Sequence, residues 1–259
     1  MKIRKTILAL AVTLFCGMMI SAPAYAGTSL ELKDDEAYSA GGMSWNGSTL
    51  VLNNCSFSGQ IKLPKNSTVT VTGTNNLIMN QIFDETGVLI GEGALTINGG
   101  GVLNIVNSVV THNNCYGIVG KKELTISGVT INASAAAQGE ADISAGIMAR
   151  KAMKITGSTI NATGAPNART SAGIRGGKSI FIQSSNINAS GTSFGIVSSG
   201  DALGISVSNV NAHGGTAAIK AKNAMQFAGV SGAVPGEKND RWYAMSGSDR
   251  ATDVKLYIS

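Results

Sequence analysis

A segment of 22 to 29 residues recurs in the second half of the chain, and this repeat constrains the fold more than any other feature. Copies begin at Gly117, Gly146, Gly173 and Gly195, and a decaying fifth copy begins at Ala218. The four full copies read GIVGKKELTISGVTINA, GIMARKAMKITGSTINA, GIRGGKSIFIQSSNINA and GIVSSGDALGISVSNVNA. Units this short cannot bury a hydrophobic face alone, so they must stack on one another. The repeat therefore predicts a solenoid.

Within each copy, apolar and polar residues alternate in short runs, which is the pattern of a β-strand. In the first copy the apolar positions fall at Ile118, at Leu124 and Ile126, and at Val129 and Ile131. Three strands, each with one or two inward apolar side chains, indicate a triangular column. We therefore predict an all-β protein: a single-stranded, right-handed parallel β-helix (β-solenoid) with three short strands per coil and capped ends.

The composition agrees with short strands joined by tight turns. Charged residues make up 14 % of the chain, against ~25 % in ordinary soluble domains, which excludes a charge-rich disordered chain. The 33 glycines have no three-residue period, which excludes collagen. We expect Gly120, Gly128 and Gly157 at turns, because glycine adopts positive φ at little cost.

The first 26 residues have the organisation of a secretory signal peptide. Lys2, Arg4 and Lys5 precede an apolar run over residues 7–20, and Ala24-Tyr25-Ala26 supplies a small-x-small cleavage pattern. Cleavage after Ala26 predicts a secreted, extracellular product that has no membrane partner once the peptide is removed.

Three further segments follow the signal peptide. Residues 48–230 carry the repeat and its weaker early copies and are predicted to form the β-helix. Residues 27–47 and 231–259 lack the repeat and are predicted to cap the N-terminal and C-terminal ends, because an uncovered terminal coil would promote aggregation. We expect Trp45 and Trp242 to close these caps.

The net charge limits the classes of partner to expect, and the cysteine positions bear on whether a disulfide forms. Loss of three of the 20 cations with the signal peptide leaves 17 against 15 acids, a net charge of +2, so a nucleic-acid partner is not expected. Of the remaining cysteines, Cys55 and Cys115 fall on coils that are not neighbours. We therefore expect two buried thiols, with a disulfide as the open alternative.

Stacking also predicts rows of equivalent residues, about 4.8 Å apart from coil to coil. One row consists of asparagines, whose side-chain amides can hydrogen-bond from coil to coil as in other stacked sheets. We predict a structural ladder, with outward display to a ligand as the alternative. Its members are Asn132, Asn161, Asn188 and Asn211.

A second set of equivalent positions is basic, and we predict that it contacts a ligand. Like charges stacked in neighbouring strands repel, so a cationic stripe on a nearly neutral protein indicates an anionic polymer as partner. Solvated lysines that keep the protein soluble are the alternative. The stripe comprises Lys121, Lys122, Arg150, Lys151, Arg175 and Lys178, and Lys220 and Lys222 follow after a gap.

Two aromatic residues complete the candidate ligand-binding set. Tyr116 and Phe194 occupy the same repeat position, where the other copies have alanine. An exposed ring at that position would stack on a sugar, whereas a packed ring would belong to the column.

Catalytic and metal-binding patterns are missing from the sequence. Glycoside hydrolysis requires two facing carboxylates, but Glu123, Glu140, Asp142 and Asp201 share no row. Calcium prefers six to eight oxygen ligands, more than the loop with Glu140 and Asp142 offers. We therefore predict no catalytic residue, no metal ligand and no enzymatic activity.

The repeat, written GI-x(5)-[LM]-x-I-[ST]-G-x-T-I-N-A and preceded by a signal peptide, resembles the carbohydrate-binding right-handed β-helix domains of secreted bacterial proteins. The resemblance covers Ser48 to Gly229. It implies a pectate-lyase-like fold, a plant polysaccharide such as polygalacturonate as partner, and calcium held by acidic residues as cofactor. This chain has no matching acidic cluster, so no functional residue is carried over.

These observations together predict a non-catalytic protein that binds an extracellular, acidic, pectin-like polysaccharide. A structural or adhesive surface protein is the main alternative. A polysaccharide lyase or hydrolase, and ice binding by the threonine and asparagine rows, are the further alternatives.

Overall fold

A computed structural model describes residues 28–83, 87–110, 113–246 and 249–259 of the chain, and the predicted signal peptide lies outside these ranges. The N-terminal strands are β1 (Thr28–Glu31), β2 (Tyr38–Ala40), β3 (Met43–Trp45), β4 (Thr49–Asn53) and β5 (Ser56–Leu63). The middle strands are β6 (Ser67–Thr72), β7 (Thr74–Met79), β8 (Gly87–Gly91), β9 (Leu95–Asn98), β10 (Val102–Asn107), β11 (Cys115–Gly120), β12 (Leu124–Ser127), β13 (Thr130–Ala135), β14 (Ile143–Ala149), β15 (Met153–Thr156), β16 (Thr159–Thr163), β17 (Thr170–Gly176), β18 (Ile180–Gln183), β19 (Asn186–Gly191), β20 (Phe194–Ser198), β21 (Leu203–Ser206), β22 (Asn209–Gly214), β23 (Ala217–Ala221) and β24 (Met225–Ala228). The C-terminal strands are β25 (Val230–Ser231), β26 (Val234–Glu237), β27 (Trp242–Ser246), β28 (Asp249–Arg250) and β29 (Asp253–Ile258).

From β6 to β21, each strand pairs in parallel with the strand three places further along the chain. Three parallel stacks result. Sheet 1 contains β4, β6, β9, β12, β15, β18, β21 and β24; sheet 2 contains β7, β10, β13, β16, β19 and β22; sheet 3 contains β8, β11, β14, β17, β20 and β23. Strand β5 pairs with both β7 and β8 and so joins sheets 2 and 3. The architecture is all-β and solenoid-like, as predicted at this level.

The register of these stacks follows the sequence repeat. In sheet 3, Ile118 pairs with Ile147, which in turn pairs with Ile174. These isoleucines are fully buried and belong to one hydrophobic core that runs along the three sheets. Burial of an isoleucine side chain stabilises the fold by about 1.5–3 kcal/mol, so the stacked apolar rows are the main source of stability.

The corner between sheets 1 and 2 requires a left-handed backbone. Gly128 and Gly157 occupy it with φ of 63° and 57°, which confirms the prediction for these two glycines. Val207 occupies the same corner in a later repeat with φ of 45°, a conformation that is unfavourable for a β-branched residue. The prediction for Gly120 was wrong, because it lies inside β11 without positive φ. A Cβ there would approach that of Leu124 to 3.2 Å, so close packing explains this glycine.

Strands outside the repeat lie along both ends of the stacks. At the N-terminal end β3 pairs antiparallel with β2 and with β4, and β1 pairs in parallel with β5. At the other end β27 pairs antiparallel with β23, and β29 with β22. The indole of Trp45 is buried and donates to the carbonyl oxygen of Lys33 at 2.8 Å, while Trp242 packs half-buried against the core. These strands satisfy backbone groups that would otherwise form open sheet edges.

Cys55 and Cys115 are free and buried in the hydrophobic core. Burial raises the pKa of the Cys55 thiol to about 11 and that of the Cys115 thiol to about 12. Both side chains therefore act as small core residues, because a nucleophilic thiolate is disfavoured at these sites.

Candidate functional site

The outer face of sheet 2 carries a continuous ladder of asparagine amides. The four predicted members, Asn132, Asn161, Asn188 and Asn211, are paired in register. The Nδ2 group of Asn132 donates to Oδ1 of Asn104 at 2.7 Å, Asn161 donates to Asn132 at 2.6 Å, and Asn188 donates to Asn161 at 2.8 Å. From Asn104 to Asn188 each amide is therefore a hydrogen-bond partner of the next, whereas Asn211 continues the row by its backbone register with Asn188.

The ladder begins earlier than the sequence analysis predicted. Asn104 on β10 donates to Oδ1 of Asn76 on β7 at 2.9 Å. Both residues lie in degenerate copies, TNNLIM and VLNIVN, which lack the Ile-Asn-Ala ending of the later repeats. The signal that could have identified them is an asparagine at the third position of a strand in which apolar and polar residues alternate. At the opposite end, Asn211 lies beside Lys255 of β29.

The predicted aromatic pair lies on the outer face of sheet 3 but is not exposed. Tyr116 and Phe194 share one row, with alanines between them at Ala145 and Ala172. Each ring is only 9 % exposed. They belong to two small apolar clusters separate from the main core. Neither ring is therefore an open platform in this structure, and both pack in clusters on the outer face and not in the central column.

Two of the six predicted basic residues have acidic partners. Lys121 forms an ion pair with Glu92 at 2.8 Å, and Lys151 lies 3.9 Å from a carboxylate oxygen of Glu123. The side chain of Lys121 is only 18 % exposed. Glu92 of the neighbouring repeat therefore neutralises the charge of Lys121. The prediction of stacked like charges did not include this ion pair.

Four of the predicted turn residues form an exposed strip that we call the cationic ridge, defined as Lys122, Arg150, Lys151 and Lys178. The backbone N–H of Lys151 donates to the carbonyl oxygen of Lys122 at 3.3 Å, and that of Lys178 to Lys151 at 3.1 Å. The three lysines therefore succeed one another in adjacent repeats. All four side chains are exposed at the end of sheet 3.

Arg175 differs from the other predicted cations because it lies within strand β17 and not in a turn. Its row on the outer face of sheet 3 continues with Val197 and Lys220. Both Arg175 and Lys220 are half-buried. Strand β27 then pairs Tyr243 with Lys220, so the C-terminal segment extends this face.

These residues line a cavity of about 280 Å³ that we call the cationic pocket. The ammonium of Lys220 lies 5.0 Å from the ring centroid of Phe194 and 5.9 Å from that of Tyr243. Both distances are within the range of cation–π attraction, so the two rings position the lysine. The cations that line the pocket are Arg175, Lys220, Lys222 and Arg241.

The pocket is strongly cationic and has no internal counter-charge. In the part of the chain that the structure describes, no carboxylate lies within 4 Å of its four cations. Burial lowers the pKa of Lys220 below its ordinary value, and the nearby charges of Arg241, Arg250 and Arg175 lower it further. Burial also lowers the pKa of Arg175. Bringing an anion into the pocket would relieve this accumulation of like charge.

Of the carboxylates considered for catalysis, Asp201 lies beside the pocket, because its backbone carbonyl oxygen accepts from the Ser198 hydroxyl and from the Lys222 N–H, each at 3.1 Å. Asp142 pairs with Arg169 at 3.5 Å, and Asp201 accepts hydrogen bonds from Ser179 at 3.0 Å and from Asn223 at 3.3 Å. Among the described residues, no group of three or more His, Cys, Asp or Glu side chains has the arrangement to hold a metal ion. The described residues therefore do not fit the calcium site that the family resemblance implied.

The fold and the site together define an all-β, solenoid-like protein with an unpaired cationic pocket on one outer face. Comparisons with protein-family models, with curated proteins and with solved structures found no match for this chain. Over the described ranges there is no helix long and apolar enough to cross a membrane.

Proposed function

We propose that this protein is an exported, non-catalytic, right-handed parallel β-helix with three strands per coil, and that it binds an acidic extracellular polysaccharide along the outer face of sheet 3. The pairing of each middle strand with the strand three places further on supports the coil arrangement. The predicted signal peptide supports export.

The observation that carries the binding proposal is the set of cations on one face, among which only Lys151 has a carboxylate within 4 Å in the described part of the chain. The ridge lysines succeed one another in adjacent repeats at the end of sheet 3, and Arg175 and Lys220 of the pocket share one row of that sheet with Val197 between them. Clustered cations with so little counter-charge create a positive potential that attracts a polyanion. A polysaccharide with regularly spaced carboxylates matches such an array better than a single small anion does, because it meets several repeats at once.

Charge reversal on the ridge tests this proposal. The triple variant Arg150→Glu, Lys151→Glu and Lys178→Glu should lower retention on immobilised polygalacturonate by at least about tenfold at low salt, which corresponds to ~1.4 kcal/mol. Wild-type retention should also decline as NaCl is raised, since exposed charges are screened. Retention on the fully methyl-esterified polymer should be weak, because its carboxylates are neutral.

Lys154→Glu provides a matched control. Lys154 is exposed in the same repeat as Arg150 but lies on sheet 1, in the row with Thr125 and Phe181. The control should bind as the wild type does, whereas Arg150→Glu alone should bind more weakly. Equal binding by the triple variant and the wild type would refute the proposal. Unsaturated or reducing products in the same assay would instead favour a lyase or hydrolase, and self-association without polysaccharide binding would favour the adhesive alternative.

A further inference from the structure

The cationic pocket differs from the ridge in a way that identifies its ligand more closely. Ridge cations are exposed and turn toward solvent, whereas Arg175, Lys220 and Arg241 are half-buried around a cavity of about 280 Å³. A volume of this size is just below the ~300 Å³ at which small-molecule sites usually begin, so it suits one sugar unit more than a larger ligand.

The walls of the pocket suit a sugar ring as well as an anion. Phe194 and Val197 form an apolar side, and the hydroxyl-bearing residues Thr170 and Ser199 lie at the rim with the cations. A sugar ring presents both C–H faces and hydroxyl groups, so it complements such a mixed lining better than a bare inorganic anion does.

The C-terminal segment completes the pocket. Arg241 belongs to the segment that follows the repeats, and strand β27 holds it in place by pairing Tyr243 with Lys220 and Trp242 with Ala221. Arg250 also approaches the ring of Tyr243, at 4.3 Å from its centroid. The segment predicted only to cap the column therefore supplies one of the four pocket cations and the ring against which Lys220 rests.

We propose that the cationic pocket binds one sugar unit that carries a single anionic substituent, a carboxylate or a sulfate ester, and that Arg241 of the C-terminal segment determines this preference. The guanidinium groups of Arg175 and Arg241 provide planar, paired donors for an oxyanion, and Lys220 adds a charge whose position is fixed by two aromatic rings. This inference rests on the proposed function for the polymeric source of the sugar, but the pocket itself is tested separately.

The experiment uses methyl glycosides of galacturonate, of galactose 6-sulfate and of galactose, titrated into the full chain by calorimetry and by NMR of the aromatic ring protons. One or both anionic glycosides should bind and shift the Phe194 and Tyr243 signals, and the neutral galactoside should not. Arg241→Gln should weaken the binding at least fivefold. Lys238→Gln is the matched control, because Lys238 lies three residues away and its ammonium pairs with Asp249 at 3.3 Å, outside the pocket.

The possible results separate the pocket from the wider function. Binding of an anionic glycoside that depends on Arg241, in a protein that does not retain polygalacturonate, would support the pocket and refute the polymer proposal. Ridge-dependent retention of the polymer without glycoside binding would refute the pocket alone. Equal binding of sodium sulfate and of the anionic glycosides would overturn the sugar assignment, since the pocket would then accept any small anion. Equal weakening by Lys238→Gln would also overturn the role of Arg241.

Discussion

The outer faces of sheets 2 and 3 are built by the same register, yet they differ in how their polar side chains are satisfied. On sheet 2, an asparagine amide has both a donor and an acceptor, so Asn104, Asn132 and Asn161 satisfy one another from strand to strand. On sheet 3, Arg175 and Lys220 have only donors and positive charge, so stacking cannot satisfy them. The comparison teaches that side chains with both a donor and an acceptor close into a ladder when they stack, whereas side chains with donors alone leave an uncompensated positive charge on the face.

The largest expected effect concerns the middle of the ladder. Asn132→Ala removes two amide hydrogen bonds at a half-buried position and should lower the free energy of unfolding by about 2 kcal/mol. Asn188→Ala, at an exposed position with one such bond, should cost about half as much. Urea denaturation of both variants checks this. Polysaccharide retention should be unchanged, and a loss of retention in a folded Asn132→Ala protein would mean that the amide row contacts ligand.

An effect of intermediate size on stability is expected when the salt concentration is raised. Because like charges accumulate at the pocket, NaCl at 1 M, where the Debye length is ~3 Å, should stabilise the wild type. Lys220→Met should reduce this gain by on the order of 0.5 kcal/mol, the size of a cross-strand charge interaction. Thermal unfolding at two salt concentrations measures the difference. Asn132→Ala should keep the full salt response, and a loss of response there would contradict the distinction between the faces.

The smallest expected effect concerns pH. Burial and the surrounding arginines lower the pKa of Lys220 in the folded state, so its charged form is disfavoured by folding. As pH rises through that lowered value toward ~10.5, its usual value, the wild type should gain stability relative to Lys220→Met. The ladder has no titrating group, so the difference between wild type and Asn132→Ala should stay constant. Urea unfolding from pH 8 to pH 10.5 tests this, and a wild type that instead loses stability relative to Lys220→Met would show that Lys220 is stabilised in its charged form.

Much of the fold could be read from the repeat, because equivalent positions in the alignment are neighbours in the structure. Ile118, Ile147 and Ile174 were equated by sequence and are paired in space. The first members of the asparagine ladder were missed, since the early copies have lost the motif that marked the later ones. Gly120 was assigned to a turn because sequence does not distinguish a glycine needed for positive φ from one needed for close packing.

Less of the candidate site could be predicted. The sequence pointed to Arg175 as a turn cation and to Phe194 as either an exposed stacking ring or a packed one. Their actual roles depend on Lys220, which covers the Phe194 ring, and on the return of the chain through β27. Arg241 has no equivalent in the repeats, so no alignment of copies could place it.

The sequence by itself determined which residues form rows, because alternating apolar residues must face a common interior and in-phase repeats must align when they stack. Only the tertiary structure decided which cations are neutralised and which remain unpaired. That outcome depends on contacts between segments that share no motif: Glu92 reaches Lys121 from an earlier copy, and Tyr243 reaches Lys220 from beyond the last one. The packing of each row depends only on the equivalent residues of adjacent repeats, which the repeat itself supplies. Neutralisation of a cation depends on every segment of the chain that lies against the same face, including segments without the repeat.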